Sequence, residues 1–534
     1  MWHGNWRASI GEQVKQEWDI VIVGGGITGA GILLEASRRG LRALLVEQRD
    51  FAWGTSSRSS KLVHGGLRYL KEGKFLLTHA SVRERQALLE QAPGLVEPQG
   101  FAFADYKGKK PGRWMFALGL AVYDFMAGQR ARHYYSSEEF LYLAPHIALD
   151  ELQGGLCYTD AKTDDARLVM RVLQEATLAG GLAINYLAAT RLLRGTGNVN
   201  GIEVTDAVTG DLHQVQARVV INATGAWGDG LRGQLGQKAK IRPLRGSHLI
   251  FPAWRLPVAQ AVSLMHPLDG RPVFIFPWEG VTLVGTTDVD HPSDLNQEAA
   301  ITQAELDYLM VAVRYQFPAL HLESDDIIST YAGVRPVIDT GKSDPSKEGR
   351  DHAVWQELGL LSVTGGKLTT FREIALDVLR KVAPAIPNWK DTLRPQRIFS
   401  AVARSVKPAS LNSQEWIRLV GRHGVYAQAL MQALNTSAAD SELDTIPGTE
   451  TLWIELRWAA RCEAVVHLED LLLRRTRLGL QLPQWGIQCM PRIRAICQEE
   501  LAWNDLQWEQ EQTAYIELCR CNYAVPGRNE TLAN

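Results

Sequence analysis

The sequence predicts an α/β fold, α+β overall, in three parts: a Rossmann-like dinucleotide-binding domain, a β-rich second domain and a helical C-terminal domain. Three observations carry this. Residues 18–47 hold an apolar run, a Gly24-x-Gly26-x-x-Gly29 turn, a helical stretch and a second apolar run, the order of a βαβ unit. Residues 241–324 alternate β-branched and aromatic residues with turns. From about residue 405 onward the apolar spacing becomes helical.

Asp19–Val23 is short and apolar enough for a buried parallel strand, Ile27 to Arg39 reads as a helix stopped by Gly40, and Arg42–Val46 reads as a second strand ending on Glu47. In the turn, one glycine permits the tight bend, one lets the backbone approach a pyrophosphate, and one lets the helix pack on the strand. The helix N-terminus offers free N–H groups and partial positive charge to phosphate. Glu47 lies roughly 20 residues downstream, where a carboxylate accepts a ribose 2′-OH and repels a 2′-phosphate, which disfavours NADP. The unit by itself does not separate FAD from NAD.

Further on, a helix is expected over about 164–180, and Arg218–Asn222 reads as a strand entering the Ala223–Gly225 turn near the nucleotide. HLIF, VFIFPW and VTLVGTTD read as strands of a second sheet able to roof the cofactor. Prolines 384, 387 and 395 mark a linker over 383–401, and residues 451–480 have the spacing of amphipathic helices. The resulting division gives residues 18–105, 150–240 and 325–385 to a discontinuous nucleotide domain. It gives 106–149 and 241–324 to a substrate or cap domain, and 400–534 to the helical domain.

With 534 residues, 46% hydrophobic and 22% charged, the chain is globular and long enough for two or three domains. A net charge of −2 provides no broad basic field, so nucleic acid is not an expected partner. No stretch of 18 or more apolar residues is present, and residues 1–17 lack both a signal-peptide core and a transit-peptide composition. The six cysteines form no C-x-x-C pair and no zinc spacing, as expected of reduced thiols in a cytoplasmic chain; no metal site is expected.

The segment DFAWGTSSRSSKLVHGGLRYL (50–70) resembles the hydroxyl- and glycine-rich loop that runs under the flavin in FAD-dependent glycerol-3-phosphate dehydrogenases. YTDAKTDDARLV (158–169), NATGAWGD (222–229), RGSHLIFP (245–252), DGRPVFIFPWEGVTLVGTTD (269–288), YAGVRP (331–336) and LLSVTGGKLTTFRE (360–373) resemble that family's blocks in the family's order. LEDLLLRRTRLGL (468–480) is similar to its C-terminal helical domain. Arg245 stands where the family more often has lysine, and no calcium-binding loop of the mitochondrial form is visible.

The resemblance implies noncovalent FAD as cofactor and oxidation of sn-glycerol 3-phosphate to dihydroxyacetone phosphate. Electrons would then pass to membrane quinone. A soluble oxidase using oxygen and a catalytically silent FAD-binding protein are the alternatives. Cofactor contacts are expected from Gly24, Gly26, Thr28, Gly29, Glu47, Thr55, Ser56, Ser57, Lys61, Leu62, Gly225, Gly366, Lys367, Leu368 and Thr369. His64 is the candidate base, because an imidazole titrates near neutrality and Gly65 and Gly66 leave room for a ligand. Hydrogen bonding to the flavin and simple packing are its other readings.

Arg335 in GVRP is the candidate phosphate clamp, projected from an extended backbone set by Pro336. Arg68, Tyr69, Arg350 and Lys367 complete the expected substrate set. The Gly365–Thr370 turn, entering a helix near Thr369, would stabilise negative charge on the flavin.

Quinone is lipid-soluble, so the chain is expected at the inner face of the cell membrane as a peripheral protein; a homodimer is one assembly open to it. Lys107, Lys109, Lys110 and Arg113 precede a mostly apolar run to Met126, the ingredients of interfacial binding. A buried helix behind a basic loop is the alternative, and Arg474, Arg475 and Arg477 form the second candidate anchor.

Overall fold

The computed structural model describes residues 2–66, 73, 75–109, 113–127, 132–342, 348–349, 351–402, 407–433 and 439–528. Two sheets organise them. In the first, strand Trp18–Val23 pairs in parallel with Ala43–Val46, Ile20 opposite Ala43, and with Leu212–Asn222, Ile20 opposite Val219. Leu182–Ile184 continues the parallel order beyond Ala43–Val46, and Leu360–Thr364 lies parallel on the far side of Leu212–Asn222. This is the expected nucleotide sheet.

The helix Ile27–Ser37 is buried almost throughout, because it is covered on its outer side by helices Asp165–Leu178 and Phe371–Val382. That burial explains why ILLEA reads as apolar all round rather than amphipathic. Helix Asp165–Leu178 starts where the Asp164 side chain accepts from Arg167 N–H at 3.2 Å, a side-chain cap on one of the helix's orphan donors.

The second sheet is largely antiparallel. Its long strand Ile241–Pro252 pairs with Val281–Gly285 on one edge and with Ser329–Ile338 on the other, from Ile241 opposite Ile338 to Ile250 opposite Ser329. Pro272–Trp278, Ala261–Met265, Val96–Tyr106, Leu152–Thr163 and His133–Ser136 follow in that order. The division expected from sequence is corrected here. Val96–Tyr106, Leu152–Thr163 and Ser329–Ile338 belong to the second sheet, not to the nucleotide sheet. Their half-apolar alternation is equally compatible with either sheet, and only pairing decides.

The helical region is joined to the rest by a shared core. Leu471, Leu472, Trp485 and Trp508 pack in one buried cluster with Ile250, Phe276 and Trp278 of the second sheet. The N-terminal segment is tied down as well: Trp2 Nε1 donates to the Ala183 carbonyl at 2.8 Å and Arg7 forks onto Asp206 at 2.8 and 2.9 Å. Among the described residues no helix is long and apolar enough to cross a membrane.

Candidate functional site

The Gly24–Gly29 turn has the geometry its glycines imply. Gly24 has φ +116°, and a Cβ there would lie 2.5 Å from the Ala223 carbonyl oxygen of the neighbouring turn. A Cβ at Gly29 would lie 1.9 Å from the Gly24 carbonyl oxygen, so helix and strand approach as no side chain allows. The Ile27 N–H donates to Ser56 Oγ at 3.0 Å, which ties the helix start to the serine-rich loop. Glu47 accepts from the Gly25 N–H at 2.6 Å and the Arg49 N–H at 2.9 Å. Burial nevertheless raises its carboxyl above the ordinary range, those N–H groups offsetting only part of the cost.

A cavity of about 660 Å³ opens at this turn and runs to Gly365, Gly366, Lys367 and Leu368. Gly24, Gly26, Thr28, Glu47, Thr55, Ser56 and Gly225 line it. Gly366, Lys367 and Leu368 line its far end, whereas Gly29, Ser57, Lys61, Leu62 and Thr369 do not line it. Gly29 packs behind the turn. Ser57 turns its hydroxyl to the Trp53 and Gly54 carbonyls, and Leu62 is buried beside Lys162. Lys61 is wholly buried, its Nζ 3.0 Å from both the Ser57 carbonyl and Asp165 Oδ1, with Trp278 and Tyr331 rings around it. Burial lowers this ammonium to about 8. The lysine is therefore a prop behind the loop.

Sequence reading passed over Trp53 and Trp227, which line the cavity with ring centroids 5.6 Å apart, Arg49 resting over Trp53 at 4.2 Å. Both lie inside blocks already singled out, and an aromatic beside a glycine-rich loop was the available signal. Thr190, Gln234 and Asn296, which also line the cavity, carry no local signal.

His64 and Arg335 do not line the cavity, but each lies on a segment that borders it. His64 is half-buried, and its carbonyl accepts from Thr369 Oγ1 at 3.3 Å, so the imidazole's segment is pinned to the Lys367–Thr370 turn. The adjacent Gly65 N–H donates to Asp160 at 3.1 Å, and Asp160 is held in turn by Arg85 at 3.0 Å and the Tyr123 hydroxyl at 3.1 Å. Burial raises the Asp160 carboxyl, with Arg85 as the main opposing influence.

Arg335 extends from strand Ser329–Ile338. Its Nη2 donates to the Thr287 carbonyl at 2.8 Å, and Nη1 lies 3.4 Å from Asp288. Arg271 shares that carboxylate at 3.2 Å, so two cations face one anion. Its flanking residues touch the cofactor loop: the Val334 carbonyl accepts from Thr55 Oγ1, and Pro336 lines the cavity. Arg245 is spent elsewhere, on Glu305 at 2.8 Å.

His248, in RGSHLIFP, stacks on Tyr331 with centroids 4.5 Å apart and shares a hydrogen bond with Ser60 Oγ at 2.9 Å. Burial, then Lys61 and Arg335, keep it neutral, well below the usual histidine range. Arg68, Tyr69 and Arg350 lie outside the described residues.

The cleft fits an adenine dinucleotide on three observations of its own: the turn no side chain could occupy, the helix start facing a polar loop, and a long cavity of suitable size. With the second sheet beside it, this defines an oxidoreductase of the FAD-dependent class, and residues 19–372 match the family described as FAD dependent oxidoreductase. Residues 392–507 match the C-terminal domain of alpha-glycerophosphate oxidase.

Among curated relatives, the aerobic glycerol-3-phosphate dehydrogenase of Staphylococcus haemolyticus is 40% identical over 489 residues, 86% of this chain and 87% of that protein. The enzyme of that name from Staphylococcus aureus is 34% identical over 490 residues, again 86% and 87%. The solved glycerol-3-phosphate dehydrogenase of Bacillus halodurans, complexed with FAD, superposes with a TM-score of 0.75 at 27% identity, covering 96% of this chain and 97% of that one. The chain belongs to the aerobic glycerol-3-phosphate dehydrogenase family, and FAD is its cofactor.

Proposed function

We propose that this protein oxidises the C2 alcohol of sn-glycerol 3-phosphate to dihydroxyacetone phosphate and passes the electrons to a membrane quinone. The observation that carries this reading is that the His64 segment is bonded to the Lys367–Thr370 turn at one end of the cavity, and Arg335 precedes the cavity-lining Pro336, in a chain 40% identical to an enzyme of that name. Bound FAD supplies the hydride acceptor. The turn Gly24–Gly29 and Ser56 would hold its pyrophosphate, and Glu47 its ribose.

His64 would take the proton of the C2 hydroxyl, its segment kept in place by Asp160 and Thr369. Arg335, which shares Asp288 with Arg271, would meet the phosphate dianion through its guanidinium. Lys367 and the start of helix Phe371–Val382 add a positive field at the same end.

For the acceptor, the supporting features are surface ones. Lys107 and Lys109 are exposed before helix Arg113–Ala127, which packs against helix Phe75–Gln91, where Phe75 and Leu76 are 53% and 89% exposed. Exposed cations and exposed apolar side chains are the ingredients of binding at a bilayer surface. A peripheral location follows from this reading, although Leu120 and Tyr123 of the helix are buried and commit part of it to the protein. The second candidate anchor is ruled out, since Arg474, Arg475 and Arg477 are buried in ion pairs. Oxygen is the competing acceptor, favoured by the match of residues 392–507 to a domain named for an oxidase.

Anaerobic addition of sn-glycerol 3-phosphate to the purified holoprotein is expected to bleach the flavin absorbance, with glycerol far less effective. Admitting a quinone analogue should restore the colour faster than admitting air. A flavin indifferent to the phosphate ester would sink the enzymatic reading, and faster recovery in air would replace quinone by oxygen.

A further inference from the structure

Among the described residues, the C-terminal domain contributes nothing to the cavity lining, yet it grips the cofactor loop at two points. Asp50, at the start of the loop, receives Arg474 Nε at 2.5 Å and Arg475 at 2.7 and 2.8 Å. Seven residues later the Ser57 carbonyl receives Arg477 Nη1 at 3.2 Å, beside Lys61 Nζ at 3.0 Å. Arg477 also reaches Asp164 at 3.0 Å and pairs with Asp165, whose other oxygen takes the Ser59 N–H and hydroxyl at 2.9 and 2.7 Å. Asp50, Asp164, Asp165 and the three arginines have side chains at most 2% exposed. Between the two grips lie Trp53, Gly54, Thr55 and Ser56, all in the cavity wall.

The gripping turn is itself unusual. Asp470–Arg475 is π-helical and Arg477 is left-handed at φ +64°, a conformation that a non-glycine residue holds only when its surroundings compel it. These departures let three arginines within four positions all point into the nucleotide domain. A Gly-Thr-Ser-Ser loop has high intrinsic freedom. If its back is already held, FAD does not have to order it on binding.

We propose that FAD binding and the packing of the C-terminal domain are thermodynamically coupled through this turn, with Arg477 a positioning residue that sets FAD affinity without touching FAD. Coupling of this kind is reciprocal: whatever the turn does for FAD, FAD does for the turn. The inference rests on FAD as the occupant of the cavity.

Hydrogen exchange on the full chain, with FAD bound and after its removal, tests it directly. FAD is expected to slow exchange at residues 24–29 and 54–59 and also at 470–478, which line no part of the cavity. Protection confined to the cavity wall would overturn the coupling. Absence of protection even at 24–29 would instead overturn the cofactor assignment beneath it.

Arg477→Lys supplies the second arm, since one ammonium cannot bridge Asp164, Asp165 and the Ser57 carbonyl together. Its FAD dissociation constant, from flavin fluorescence, should rise at least tenfold with an unchanged far-UV spectrum. Arg494→Lys, on an exposed pair of the same domain, should leave it unchanged. A folded Arg477→Lys protein binding FAD within twofold of wild type would reject the proposal, and if that variant does not fold, the exchange comparison on the unaltered chain decides.

Discussion

Beside the cofactor cleft, Glu47 and Asp160 are carboxyls whose burial outweighs their hydrogen bonds, so both are pushed above the ordinary range. At the contact with the C-terminal domain, burial acts on Asp50, Asp164 and Glu463 in the same sense, but arginines outweigh it and hold all three below that range. The difference lies in how strongly cations pair with each carboxylate. Asp50 has two guanidiniums, Asp164 has Arg477 and Arg422, and Glu463 has a fork from Arg167 at 2.6 and 2.8 Å. Glu47 is held by backbone N–H groups, and Asp160 has Arg85 alone among cations within 4 Å in the described residues. One region is locked by buried ion pairs. In the other, burial outweighs the partners and raises both carboxyls above the ordinary range.

The largest expected effect comes from the cleft's geometry. Gly29→Val places atoms where the Gly24 carbonyl already lies and should yield protein without flavin absorbance. Stoichiometric flavin in that variant would refute the steric reading.

Next come paired substitutions that separate the two regions. Asp50→Ala leaves Arg474 and Arg475 deprived of a buried partner and should cost about 3–5 kcal/mol of stability in urea unfolding. Asp160→Asn should cost less stability but slow flavin reduction more, because it loosens the Gly65 anchor behind His64. Equal stability losses would erase the distinction.

Within the cleft, Arg335→Ala should weaken substrate capture by about 2–5 kcal/mol while flavin content stays normal. His64→Ala should slow flavin reduction by about 100-fold if the imidazole is the base. Unaltered stopped-flow reduction in the histidine variant would transfer that role elsewhere.

Titration gives a smaller, continuous test. Glu47 and Asp160 have raised folded values, so their contribution to stability grows as pH falls through those values toward the ordinary carboxyl range. Asp164 and Glu463 have depressed folded values, so their contribution is complete above the ordinary carboxyl range of about 4 and is lost as pH falls below it. Protonation of Glu47 also removes the carboxylate proposed to hold the ribose, so flavin release, followed by fluorescence, should begin at higher pH than global unfolding followed by far-UV circular dichroism. Coincident curves would mean that the two regions do not differ as described.

The smallest effect concerns the surface. Replacing Lys107 and Lys109 by glutamine should lower binding to anionic vesicles and leave anaerobic reduction by substrate intact. Unchanged vesicle binding would remove this segment as the anchor.

The nucleotide-binding unit was fully legible in the sequence, because every physical demand in it is local. The tight turn needs glycines at fixed offsets, the strands need short apolar runs, and Glu47 needs only to follow the second strand. The family blocks likewise located Thr55, Ser56, Gly225 and Gly366 in the wall. What sequence could not supply was the partner of each buried charge.

Lys61 resembled a cofactor contact because it lies in the same segment as the serine-rich loop, yet Asp165, 104 positions away, draws it behind the loop. Arg474, Arg475 and Arg477 resembled a basic surface cluster, and their carboxylates lie 424, 425 and 313 positions upstream. The sheet membership of Val96–Tyr106 and Ser329–Ile338 is of the same kind, since alternation fixes which face a residue presents but not which strand it meets. The sequence by itself determined the local units, the cofactor class and the chemical types gathered for the reaction. Only the tertiary structure decided which charges meet, which are neutralised and which are left for the site to use, because ion pairing and sheet pairing depend on distance in space and carry no period along the chain.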